Sequence, residues 1–204
     1  SVEVQTIGTG GGTLIWVDAA KGIRVGPESA GSEPGPACYG KGGNQPTITD
    51  ANLLLGRINT KGLLNGEIPL SIDNARSAFK KYVSKKNAMN INQSAISAIR
   101  LANQFMASSI LTICSRHGSD PRDLTLIAGG GAGGISASSV ARICGIKKIL
   151  IPREASAACA VGMVCGPLRY DRKRSFMVRT SETSAKQLLK QFENLKKETK
   201  NLIS

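Results

Sequence analysis

The chain has 204 residues, 41% of them apolar, and a formal net charge of +13 from 27 basic and 14 acidic side chains. That length suits one domain with at most an appendage, and the apolar fraction excludes a largely disordered chain. Aromatics make up only 4%, so the core must be aliphatic, and the base-stacking platform expected of a nucleic-acid binder is missing.

The basic residues are dispersed at Lys80, Lys81, Lys85, Lys86, Lys147 and Lys148 and then from Arg172 to Lys200. Dispersed charge reads as a solvated face, or as a surface for an acidic partner or phosphorylated substrate. No apolar stretch is long enough to span a bilayer. The first twelve residues lack the basic start and apolar run of a secretory leader. Five cysteines occur without a C-x-x-C spacing, and four lie in apolar stretches, which points to a reducing, cytoplasmic compartment. The sequence opens without Met in a strand-like run, which raises the expectation of a fragment or of one chain of a divided protein.

In chain order, Val2–Ile7 alternates and is β-branched, so a strand is expected. Gly8–Gly12 follows as a turn, Thr13–Asp18 as a second strand, and Ile23–Val25 as a third, giving a small antiparallel meander. Residues 26–47 are crowded with Gly and Pro and are expected to form a long loop. Thr49 and Asp50 are placed to cap a short helix through Leu55, ended by Gly56.

A helix is expected from Ser71 or Asp73 to about Lys86. A longer, largely buried one should run from about Asn92 to Arg116, with Gly118 as its stop. Leu124–Ala128, Gly129–Gly134, Ser136–Cys144 and Lys147–Ile151 then read as buried strand, glycine loop, helix and buried strand. This is a βαβ unit with parallel pairing. A small-residue helix is expected from Ala155 to about Leu168, and an amphipathic one from Ser184 to Leu202.

Three segments carry candidate chemistry. In the first, Gly129, Gly130, Gly131, Ala132, Gly133 and Gly134 join a strand to a helix. There, missing side chains let a ligand reach backbone N–H groups. The run lacks the Lys of a phosphate loop, and no acidic residue lies where a dinucleotide fingerprint needs one. Tight helix–strand packing is the competing explanation. The second segment, Gly8–Gly12, is either an ordinary hairpin turn or an anion nest.

The third segment gathers Cys38, Asp50 and Asn52 as candidates for contacting a substrate or metal. Cys38 stands in a polar loop and is the expected reactive thiol. Against this, Cys38 would simply pack and Asp50 would cap a helix, since no second Cys or His lies nearby. His117, the sole histidine, ends a helix and suits its dipole. A serine triad is not supported.

The run from Gly26 to Gly43, with Pro27-Glu28-Ser29-Ala30-Gly31 and Pro34-Gly35-Pro36-Ala37-Cys38-Tyr39-Gly40 at its centre, resembles the signature stretch of hydantoinase A proteins. Pro46–Gly56, Thr6–Thr13, Gly118–Asp123 and Gly129–Gly134 continue the resemblance, which spans residues 1 to about 175. It implies the C-terminal part of a hydantoinase A / 5-oxoprolinase domain, an α/β fold of the actin-like ATPase (ribonuclease H-like) group. Residues 1–175 would form the partial actin-fold domain, and residues 176–204 a helical appendage.

The resemblance further implies ATP and Mg²⁺, with adenosine at Gly129–Gly134. The reaction would be cyclic-amide hydrolysis through a carbonyl oxygen activated by phosphorylation. Partners would be the rest of the hydantoinase A chain or a hydantoinase B-like subunit. Hydantoin, 5-oxoproline and ketones are all open as substrates.

Departures from the family pattern are visible. Gly134-Ile135-Ser136-Ala137 stands where the family commonly has Pro-Leu-His-Ala, and Ser119 stands where it often has His. The acidic Asp-Gly-Gly-Thr phosphate motifs are absent, and with them an obvious Mg²⁺ site. The alternative to an enzyme part is a degenerate, non-catalytic relative that binds a partner subunit, with the amphipathic C-terminal helix available for docking.

Overall fold

A computed structural model describes residues 4–167 and 170–201. They form two compact units, Ser1–Cys159 and Ala160–Ser204.

In the first unit, β1 (Thr13–Val17) and β2 (Ile23–Ser29) make an antiparallel hairpin. Its turn is closed by Asp18, whose carboxylate accepts from Gly22 N–H at 2.8 Å and pairs with Arg24 at 2.7 Å. The pairing register shifts between Thr13 and Ile15. On the far side of β1, Ile15 N–H donates to Pro46 O, and Leu14 bridges Thr47. This leaves β2 at an edge, where the missing N–H of Pro27 breaks no ladder. The expected strand before Gly8 does not form: Val4–Ile7 has no strand partner among the described residues, and Val2 and Glu3 lie outside them. The meander is therefore a two-stranded hairpin. The loop predicted from residue 26 begins only after β2.

Helix α1 (Ile48–Leu54) starts two residues earlier than expected because Thr47, not Thr49, is its N-cap. Helix α2 (Ile72–Phe79) continues through a π-helical stretch, Lys80–Ser84, into the short α3 (Lys85–Asn87). Asn90 and Gln93 form a reciprocal capping box that starts the 26-residue α4 (Ile91–Arg116). On α4, Ala95, Ala98, Ile99 and Ala102 fall at helical spacing on one face. Their small side chains let that face close on Ile15, Val25, Ile48, Phe79 and Val83, the main core. Burial on α4 is one-sided where a largely buried helix was expected, since Ile96 and Phe105 are exposed.

Further along, Ala107 meets Val140, Ala141 and Cys144 of α5 (Gly133–Cys144) in a second core. Strands β3 (Thr125–Ile127) and β4 (Lys148–Leu150) flank α5 and pair in parallel, as a βαβ unit requires. They are not the buried strands expected: Ile127 is 64% and Leu150 51% exposed. Parallel sheets are covered on both faces, and here only the α5 side is. Helix α6 (Ala158–Cys165) follows a 3₁₀ turn at Ala155–Ala157.

In the second unit, α7 (Ala185–Lys200) begins at a Ser184–Gln187 capping box. Its Leu188, Leu189 and Phe192 are exposed, and Arg174 pairs with Glu198 at 2.9 Å. Leu202, the expected helix end, lies outside the described residues. No helix among the described residues is long and apolar enough to cross a membrane.

Candidate functional site

The three candidate segments of the sequence converge in part. Gly129–Ala132 forms an exposed loop after β3, closed by a 2.6 Å bond from Gly130 N–H to Ala155 O. Gly130 has φ +85°, a left-handed geometry that only glycine adopts at little cost. A Cβ at Gly131 would meet no atom within 4 Å, so packing within this chain does not require glycine there. Gly133 and Gly134 open α5, whose N-cap Ala132 supplies no side-chain acceptor. The first N–H groups of that helix therefore rely on another acceptor.

Two cavities flank this helix start. One, about 290 Å³, is mainly aliphatic: Ile7, Met106, Ile110, Leu126, Ala128 and Gly129 contribute to its wall. The other, about 220 Å³, lies between α5 and the Gly8–Gly12 loop and is lined by Gly10, Gly11, Thr49, Asn52, Gly133 and Ser136, among others.

The Gly8–Gly12 loop is not a hairpin turn. It packs on α1, with Gly11 O accepting from both Thr49 N–H and Thr49 Oγ1–H at 2.9 Å. A Cβ on Gly11 would approach Thr49 Oγ1 to 2.8 Å, so this glycine is required by packing.

Asp50 and Cys38 are adjacent but sealed from solvent, each at 0% exposure. The Asp50 carboxylate accepts from Cys38 N–H at 2.7 Å, Ala37 N–H at 3.3 Å, Thr47 N–H at 2.8 Å and Thr47 Oγ1–H at 2.8 Å. It is the hub that ties the Pro36–Tyr39 turn to the start of α1. Burial first, then the Asp50 charge, pushes the Cys38 thiol far above its ordinary range. The polar neighbours of Cys38 in sequence suggested an accessible thiol. The fold instead turns its side chain into an apolar cluster with Leu53, Leu70 and Ala75. The exposed cysteines are Cys159 and Cys165.

Asn52, one helical half-turn beyond Asp50, faces the 220 Å³ cavity and not the Cys38 cluster. It is 5% exposed, and its Oδ1 accepts no hydrogen bond among the described residues. Sequence reasoning grouped the three residues by proximity in the chain, whereas α1 sends them to different faces. Thr49 and Ser136 line the same cavity; the sequence pointed to Thr49 only as a helix cap and to Ser136 only as the residue standing where the family commonly has His.

A Mg²⁺ site does not fit the acidic groups here. No cluster of three His, Cys, Asp or Glu occurs among the described residues, and both Asp50 oxygens are occupied by protein donors. The glycine loop and the aliphatic cavity beside it do fit a flat, weakly polar group such as a purine, through close backbone approach and apolar walls.

The fold and the site define a mixed α/β chain whose two glycine loops meet beside a helix N-terminus. By comparison with known proteins, the family described as Hydantoinase/oxoprolinase matches residues 1–172. The chain belongs to that family. It is 39% identical over 181 residues to the caprolactamase subunit alpha of Pseudomonas jessenii, covering 89% of this chain and 26% of that one. It is 34% identical over 180 residues to the 5-oxoprolinase PfmaA of Pestalotiopsis fici, covering 83% of this chain and 14% of that one. The crystal structure of the ATP-dependent caprolactamase from Pseudomonas jessenii superposes with a TM-score of 0.74 at 35% identity, over 96% of this chain and 29% of that one. The chain thus spans about a quarter or less of the length of these curated relatives.

Proposed function

We propose that this chain forms part of an ATP-dependent cyclic-amide hydrolase of the hydantoinase/oxoprolinase type, in which Gly129–Gly134 receives the adenosine of ATP. In this reading residues 1–175 are part of an actin-like ATPase domain and residues 176–204 a helical appendage. The observation that carries the reading is the open glycine bend. Gly131 has unused space around it, α5 begins without a side-chain cap, and an aliphatic cavity is lined by Gly129 and Gly133 on either side of the bend. Backbone N–H groups at such a bend bind a polar nucleoside edge while the aliphatic wall covers the purine face. The relatives named above support the chemistry, being a caprolactamase, described as ATP-dependent, and a 5-oxoprolinase.

The chemical role of the bound nucleotide is to activate an amide carbonyl oxygen by phosphorylation. The residues of this chain would position nucleoside and amide rather than attack either one. Metal-ligating and phosphate-binding groups would come from other sequence, the rest of a hydantoinase A chain or a hydantoinase B-like subunit. The uncovered faces of β3 and β4, with Ile127, Leu150 and Ile151 exposed, support such a neighbour. Nucleotide titration tests the reading. ATP should bind saturably and perturb Gly129–Gly134, and no perturbation at those residues at saturating nucleotide would remove its basis.

A further inference from the structure

We propose that the cleft between the Gly40–Asn44 loop and the face of α2 opposite it binds a phosphate group, either free phosphate or the phosphate of a small ester. The cleft measures about 370 Å³ and contains none of the Gly129–Gly134 residues, so the proposal stands apart from the nucleotide reading. Its loop is the tail of the Gly26–Gly43 stretch, to which that reading assigns no role.

The loop supplies free donors. Gly40 and Gly42 have φ +68° and +91°, so the chain passes twice through left-handed geometry within three residues. The backbone N–H groups of Lys41, Gly42, Gly43 and Asn44 donate to no acceptor among the described residues. Successive free N–H groups in such a turn form an anion-binding concavity. A Cβ on Gly43 would collide with Gly35 O, so close packing seats the loop on the turn before it. A Cβ at Gly42 would meet nothing within 4 Å, which leaves the space beside that residue open.

The helix supplies the opposite wall. Asn74, Ser77 and Lys81 fall three and four residues apart, on one face of α2 and the π-helical stretch that continues it. Among the described residues, none of their side chains hydrogen-bonds to the loop, and Lys81 Nζ lies 4.9 Å from the Tyr82 ring centre. A polar stripe that faces a loop without pairing to it leaves room for a ligand between them. No carboxylate lines the cleft. Asp73, the one acidic residue of α2, pairs with Arg76 at 3.5 Å.

The donor count selects the ligand. Backbone N–H groups, the Ser77 hydroxyl, the Asn44 and Asn74 amides and the Lys81 ammonium all donate, and an ammonium excludes a metal cation. A carboxylate brings two oxygens to this array, whereas a phosphate brings three or more and a second negative charge. Lysine with glycine-loop backbone is a combination suited to that group.

The test records amide ¹H–¹⁵N spectra of the full 204-residue chain at fixed ionic strength, with inorganic phosphate, glycerol 1-phosphate and acetate as probes. The expected result is a saturable shift centred on Lys41–Asn44 with phosphate and a response at least tenfold weaker with acetate. Lys81→Gln, an exposed change checked for an unaltered thermal melt, should weaken phosphate binding about tenfold. Lys86→Gln, which removes the same charge outside the cleft, should change it less than about twofold. Tighter binding of glycerol 1-phosphate than of inorganic phosphate identifies an ester as the ligand, and the reverse identifies free phosphate.

Equal losses in Lys81→Gln and Lys86→Gln would mean diffuse attraction to a basic chain and would overturn the proposal. Acetate binding as well as phosphate, or phosphate shifts that do not saturate or that avoid Lys41–Asn44, would also overturn it. These shifts are read away from Gly129–Gly134, so their absence leaves the nucleotide reading untouched.

Discussion

Replacing Asp50 separates a structural role from a chemical one. Its carboxylate receives four hydrogen bonds, two of them from the Pro36–Tyr39 turn and two from Thr47. Asp50→Ala strands those donors in a region without solvent. Each unpaired buried donor costs about 1–3 kcal/mol, and loss of a helix cap adds about 1 kcal/mol. Thr47 Oγ1 can turn to another acceptor, so the sum is on the order of 5 kcal/mol. A domain holding about 5–15 kcal/mol in total would be left close to unfolding. Asp50→Asn keeps one oxygen for Cys38 N–H but aims an NH₂ group at Thr47 N–H, which replaces an acceptor with a clashing donor. The expected loss there is about 2 kcal/mol. Urea unfolding followed by circular dichroism measures both. A loss below about 0.5 kcal/mol for Asp50→Asn would refute the hub assignment. Asp50 would then be free for the substrate or metal role that its place in the sequence first suggested.

Other consequences are equally direct. Under native conditions Ellman's reagent should modify Cys159 and Cys165 quickly and Cys38, Cys114 and Cys144 only on unfolding, and fast labelling of Cys38 would contradict its burial. Phe79, at 0% exposure in the main core, should cost about 3–5 kcal/mol on truncation to Ala, measured by the same urea titration. Asp120 is held at about 2, below its ordinary 3.8, chiefly by its side-chain bonds to Arg122. Because its folded value lies below its unfolded one, the stabilisation is present above pH 3.8 and is lost as pH falls through about 2. Carboxyl-carbon NMR should show this titration, moving upward toward 3.8 in Arg122→Ala, and no movement would disprove the pairing.

Local order was readable in the sequence where local chemistry decides it. The Ser71 and Ser184 caps, the stop at Gly118 and the parallel βαβ unit follow from capping rules, glycine conformation and period. The reading failed where partners far apart in the chain decide. Val4–Ile7 alternates well, but β1 takes β2 and the Pro46–Thr47 segment as its neighbours, leaving no ladder for it. Val4 itself is exposed. Cys38 looked accessible because its neighbours in sequence are polar, yet the buried Asp50 carboxylate draws its backbone inward. The β3 and β4 strands were read as buried from composition, and composition does not reveal which chain covers them.

Within the candidate site, the glycine bend was visible as a motif. The meeting of Asn52 with Gly10, Gly11 and Gly133 was not, because it depends on how α1 and α5 pack around α4. Asn52 was singled out only for its position beside Asp50, and its actual setting is a different face of the same helix.

The central claim is that Gly129–Gly134 receives a nucleoside, and one titration tests it most directly. Amide ¹H–¹⁵N spectra of the chain are recorded with increasing ATP, for the unmodified sequence and for Gly131→Val. The side chain at 131 has open space, so the variant should fold normally. The account predicts saturable shifts centred on Gly129–Gly134, weakened at least tenfold in Gly131→Val by the branched side chain blocking backbone approach. Shifts centred instead on the basic groove at Arg76, Lys80 and Asn90, or unaltered affinity in Gly131→Val, would contradict it.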